Sequence, residues 1–187
     1  MERDITITPD NILHNSENKS FKNIKTFKKA CEVLDINYND VNSVIEDIIK
    51  FSNSKSAAAM FKLSIIRRAL NLGQDLPFTK NSKNPLIYYP YNPCVNKNST
   101  LYKGQLNSGK IEIIGKIKIG KTECNILGGG TTCCYANLGF YGTHDELLGC
   151  ASKEIAEHFS KYFGMTITEA KYSNLEDFEI ITNYYKN

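Results

Sequence analysis

The triplet Gly128-Gly129-Gly130 holds the most direct chemical potential in the sequence, because backbone amides freed by glycine can cradle phosphate where they open a helix after a strand. Here the triplet precedes the β-branched pair Thr131-Thr132, and neither a GK[ST] nor a G-x-G-x-x-G pattern accompanies it, so a turn or bulge is favoured over a nucleotide loop. His144-Asp145-Glu146 combines groups able to do acid–base work, but neighbours on one loop rarely converge on one substrate, which favours a solvated turn. Cys124, Cys133, Cys134 and Cys150, with His144 and His158, offer enough donors for zinc. None of the cysteines is paired at the C-x₂₋₄-C spacing that gives a zinc knuckle, and adjacent Cys133 and Cys134 in a strand point to opposite faces. A cysteine nucleophile needs a histidine in reach and an orienting group, and nothing in the order of residues brings a cysteine to His144. The chain therefore reads as a non-enzyme, with no catalytic residue, metal or cofactor expected.

Tyrosine is amphipathic and common in strands and at protein interfaces. Packing explains most of the eleven. A surface for interaction would draw on Tyr88, Tyr89 and Tyr91 with the glycines Gly128, Gly129 and Gly130, and on Tyr141 and His144. The run Phe21-Lys-Asn-Ile-Lys-Thr-Phe-Lys-Lys29 interleaves rings with cations, as nucleic-acid grooves do, yet on a helix its rings turn inward and its lysines face water.

These residues need a frame, and 187 residues with 41% hydrophobic and 23% charged side chains are enough for one domain with a sizeable core. A formal charge of +3 is too small to imply a polyanion, so nucleic acid is not an expected partner. No run approaches the roughly 20 apolar residues of a membrane span, and Met1-Glu-Arg-Asp lacks the apolar stretch of a signal peptide. A soluble, non-secreted protein with six reduced cysteines is expected.

Residues 1–22 are polar and aperiodic and read as an arm, with a single domain over 23–187. Helices are expected over about 23–34 (Ile24, Phe27, Cys31 and Leu34 on one stripe), 40–50 (capped by Asp40, with Val41, Val44, Ile45 and Ile48 on one face), 54–72 and 152–163. The third carries the apolar row Ala59, Leu63, Ile66, Leu70, with Gly73 as its C-terminal cap; Gly164 would stop the fourth. Prolines from Pro77 to Pro93 forbid a long helix and leave one short strand, 86–89. Alternating Ile111, Ile113, Ile117 and Ile119 mark a strand over 110–119 with Gly115 at a bulge, followed by strands over 123–127, 131–135 and 165–170. The expected class is α+β: a helical N-terminal half packed on a small antiparallel sheet with one C-terminal helix.

Three segments share an order with a known group. They are Ile24-Lys-Thr-Phe-Lys-Lys-Ala-Cys-Glu-Val-Leu-Asp-Ile36; Ala58-Ala-Met-Phe-Lys-Leu-Ser-Ile-Ile-Arg-Arg-Ala-Leu-Asn-Leu-Gly73 followed by Tyr88-Tyr-Pro90; and Gly142 to Phe163, where Cys150 leads into the helix Ser-Lys-Glu-Ile-Ala-Glu-His-Phe-Ser-Lys-Tyr-Phe163. Together they resemble small proteins of Bacteroidales tailed phages and prophages, crAss-like and related, in which a Leu-Cys segment precedes a helix reading Lys-Ser-x-Glu-Leu-Ala-Glu-Tyr. The chain departs from that pattern at Leu148-Gly149-Cys150, where the family often has arginine before Leu-Cys, and the strands from Ile111 to Leu127 resemble an insertion. The resemblance implies phage origin and a binding or structural role, and it transfers no residue role. The leading expectation is a virion-associated accessory, decoration or connector protein, in the virion or host cytoplasm, whose partners are other phage structural proteins or itself. The alternative is an early protein that binds a host defence component or its nucleotide signal; a nucleotide ligand is not favoured.

Overall fold

Side-chain caps set the starts of the four longer helices. Thr26 accepts from the Lys29 N–H at 3.1 Å and opens α1 (Phe27–Val33), and Asn37 accepts from Asn39 and opens α2 (Tyr38–Ser52). Asp40, the expected cap of α2, lies instead in its first turn, where its charge complements the helix dipole. Ser54 caps α3 (Lys55–Leu70) through the Ala57 N–H, and left-handed Asn53 separates it from α2. The computed structural model describes residues 20–72, 86–135 and 148–185. The expected arm before residue 20, the Gly73 cap, Tyr141 and His144 lie outside them.

The chain is α+β. Strands β1 (Leu86–Tyr91) and β5 (Gly130–Tyr135) pair antiparallel, from Leu86 opposite Tyr135 to Tyr91 opposite Gly130. A four-stranded antiparallel sheet has the order β2 (Cys94–Asn96), β4 (Thr122–Gly128), β3 (Glu112–Ile119), β6 (Phe178–Asn183). Between β2 and β3 sits a short helix, α4 (Lys103–Asn107). Strands β1 and β2 are separated by Asn92 and Pro93 alone, and β4 and β5 by Gly129 alone. The two sheets are thus one bent antiparallel ribbon, with Leu127 N–H donating to Pro93 O at the bend.

Helix α5 (Lys153–Tyr172) runs across this bend, capped by Ser152 through the Ile155 N–H. At 20 residues it is about 30 Å long, and it continues through the segment 165–170 where a strand was expected. Met165, Ile167 and Thr168 are buried within it, so tertiary burial outweighs the β preference of Thr166-Ile167-Thr168. Gly164 does not stop the helix. A Cβ there would overlap the Asn92 amide and the Ile114 side chain, and its absence lets the helix reach the ribbon.

Hydrogen bonds fix that contact. The fully buried Ser160 donates its hydroxyl to Tyr91 O at 3.0 Å and accepts the Gly129 N–H at 3.1 Å. The Asn92 amide donates to Leu127 O at 2.8 Å and to Ser160 O at 2.9 Å. A second polar pin holds the start of α5: buried Asn71 donates to Arg67 O and Gly149 O and accepts the Ala151 N–H.

The main core lies between α1–α3, α5 and β1, centred on Phe159, Phe163, Leu63 and Ile66. A second core forms where Ile114, Ile117 and Ile126 meet Met165, and a third where Val95, Ile111 and Leu127 meet Tyr102 and Leu106. The expected alternation along β3 breaks at Ile114, which is passed over when Ile113 pairs Leu127 and Gly115 pairs Ile126. That bulge exposes Ile113 and buries Ile114. A second irregularity passes over Ile181, since Lys116 faces Thr182 and Ile117 faces Ile180. On α2, Val44 is 45% exposed, so the buried face is the narrower pair Val41 and Ile45. Strands β2 and β6 and helix α4 were not anticipated.

The close approach at Gly164 has a measurable signature. Gly164→Ala should destabilise the protein by about 1–3 kcal/mol through overpacking, despite better helix propensity. Gly104→Ala, where a Cβ meets open space, should be neutral or stabilising by up to about 1 kcal/mol. Urea midpoints of the two variants check this, and an unchanged Gly164→Ala midpoint would contradict the packing account.

Candidate functional site

An open cleft of about 870 Å³ lies over the first half of α5. The residues of α5 that line it follow helical spacing: Lys153, Glu157 and Lys161 form one i, i+4 row, and Glu154, His158 and Tyr162 lie alongside. The opposite wall is built from Tyr91 at the end of β1, Gly129, Gly130 and Thr131 at the start of β5, and Tyr102, Gln105 and Lys110 around α4. Phe21 and Lys22, from the 3₁₀ turn Phe21–Asn23, complete the rim.

The cleft collects part of the expected interaction surface. Tyr91, Gly129 and Gly130 line it. Tyr89 is buried and Tyr88 half-buried, because alternate residues of β1 point to opposite sides. Gly128 is buried against α5, where a Cβ would overlap Ile114 and crowd the backbone of Lys161. The glycines thus serve close packing: Gly129 has φ +87° and its N–H is committed to Ser160, and a Cβ on Gly130 would strike Tyr91 O. Tyr102, Lys110, Lys153 and Lys161 were not anticipated, and His158 was weighed only as a metal donor. The signal for the two α5 lysines was the Lys153–Glu157–Lys161 row, which reads in sequence as a solvated helix face.

Electrostatics divides the lining into committed and available groups. Lys161 Nζ lies 2.9 Å from Glu112, whose carboxylate also accepts from the Tyr185 hydroxyl, and this pairing holds the Lys161 ammonium above its ordinary pKa. Glu154 is turned into the first turn of α5, bonded to its own backbone N–H and to Ser152, which holds its carboxyl below the usual range. Lys153 and Glu157 sit 3.7 Å apart, both well exposed. Lys22 and Lys110 have no ion pair within 4.0 Å among the described residues.

His158 and the buried thiols are held by packing. His158 Nε2 lies 2.7 Å from Ile24 O, and the ring packs against Phe21 and Tyr162. Burial lowers its pKa, the bond to Ile24 opposes that, and Lys25 and Lys161 add to the lowering. Burial pushes the Cys150 thiol up to about 12, with the Arg67 charge opposing, and burial beside Cys124 takes Cys94 to about 12. Cys31 is likewise raised by burial. Thiols held protonated are poor nucleophiles and poor metal ligands. Among the described residues no three His, Cys, Asp or Glu side chains are grouped to hold a metal.

Comparison with known proteins finds no matching family model, no similar curated protein and no similar solved structure. Among the described residues no helix is long and apolar enough to cross a membrane.

Two outcomes follow from these states. Because the folded protein favours neutral His158, the unfolded chain binds more protons once pH falls below about 6.5, and stability falls with it. His158→Gln, which retains a donor for Ile24 O, should flatten the decline in melting temperature between about pH 7.5 and 5; an unchanged slope would exclude His158 as its source. Native thiol labelling should modify the exposed Cys133 first and leave buried Cys31 and Cys150 slow. Denaturation without reductant should release all six cysteines, and a smaller total would reveal a disulfide.

Proposed function

We propose that this protein is phage-encoded and acts by binding rather than catalysis, as a virion-associated accessory, decoration or connector protein that contacts other phage structural proteins or its own copies. The observation that carries the binding role is the cleft over α5, where rings and ammonium groups face outward while His158 and the thiols of Cys31, Cys94 and Cys150 are held by packing. Phage origin rests on the resemblance of the three ordered segments. The segment that matches it best contains Cys150, whose backbone pairs with Tyr88, and α5, which backs the cleft.

A second reading is favoured by the size of the cleft, which lies within the roughly 300–1,000 Å³ of small-ligand sites. On it, the protein is an early, host-directed factor in the host cytoplasm that binds a defence component or its nucleotide signal. Quantitative mass spectrometry of purified particles, beside a time course of infected-cell lysate, separates the two. The virion role requires a fixed copy number per particle. Early abundance in cells with exclusion from particles would overturn it in favour of the host-directed role.

A further inference from the structure

One residue of the cleft is held in a conformation that its type disfavours. Tyr102 has φ +64° and precedes α4 without a side-chain cap. The left-handed region is disfavoured for a residue with a Cβ, and such outliers cluster at ligand-contacting sites. The conformation sets the Tyr102 hydroxyl 3.4 Å from that of Tyr91, which is 46% exposed. Two phenol rings are thus linked at one wall of the cleft.

The remaining lining supplies charge. Lys22, Lys110, Lys153 and Lys161 stand against Glu154 and Glu157, an excess of positive charge. Lys161 is committed to Glu112 and Glu154 to the first turn of its helix. The Lys153–Glu157 pair is exposed and weak, as such pairs are, so Lys153 can be given up to a stronger anion. Lys110, exposed and without an ion pair among the described residues, lines the same wall as Tyr102.

We infer that the cleft binds a nucleoside phosphate, its base against Tyr91 and Tyr102 and its phosphates among Lys110, Lys153 and Lys22. The inference deepens the small-ligand reading above and rests on it. The small number of lysines that line the cleft and a formal charge of only +3 favour a single nucleotide over a nucleic-acid polymer, whose binding needs many phosphate contacts. The ring alone and the phosphates alone each use half of the site.

Isothermal titration calorimetry of the full chain with ATP, GTP and UTP, with adenosine and with tripolyphosphate tests this. At least one nucleotide should bind saturably, and adenosine and tripolyphosphate should each bind at least about tenfold more weakly. Lys110→Glu, a surface change that leaves the cores untouched, should weaken the nucleotide by about tenfold or more, and Tyr102→Ala should bring its affinity down to that of tripolyphosphate. Three results would overturn the inference: no heat from any nucleotide up to about 5 mM, tripolyphosphate binding as tightly as the nucleotide, or binding indifferent to Lys110→Glu. Such a failure removes the nucleotide arm alone, because early abundance in infected cells with exclusion from particles tests the host-directed reading separately.

Discussion

A bent ribbon leaves backbone donors and acceptors at its bend that no strand ladder reaches, and in this protein they are met by one face of α5. Ser160 takes the Tyr91 carbonyl and the Gly129 amide, while Asn92 bridges the Leu127 and Ser160 carbonyls. Buried backbone groups without partners cost about 1–3 kcal/mol each, so the bend and the helix require each other. Gly164 and Gly128 then set how near the helix can come. The main core on one side and the Ile114–Met165 core on the other both follow from where that contact places α5.

The same contact explains what could be read from sequence. Helix α3 was legible because Ala59, Leu63, Ile66 and Leu70 repeat at helical spacing behind a serine cap, and β3–β4 because their isoleucines and the Gly120-Lys121 turn give a local pattern. Each of these signals lies within a few residues. Gly164 carried the opposite message: locally it is a helix stop, and only Asn92, 72 positions earlier in the chain, shows why glycine is needed inside a helix. Strand β2 is three residues long and follows Pro93, and β6 sits in an acidic segment, so neither had a period to detect.

The cleft was only partly legible for a related reason. Tyr91, Gly129 and Gly130 stood out by type, but the glycines proved to be packing devices that also place the Tyr91 wall. The residues that face them come from the 3₁₀ turn near residue 21, the region of α4, and α5, elements separated by up to about 140 positions. Convergence at that range is set by the bend, which no local pattern encodes. Burial meanwhile keeps the Cys94 and Cys150 thiols protonated, and packing ties the His158 ring to Ile24, Phe21 and Tyr162, so the groups that the cleft leaves at its surface are chiefly ammonium and phenol groups.

The outer strands of the four-stranded sheet have a consequence for self-association. One edge, β2, offers only three residues, and the other, β6, is deformed at Ile181. Short and bulged edges are poor templates for a stacking chain. At these two edges, contacts between copies are therefore favoured through side-chain surfaces, whose geometry can stop at a defined number, over strand-by-strand addition to the four-stranded sheet.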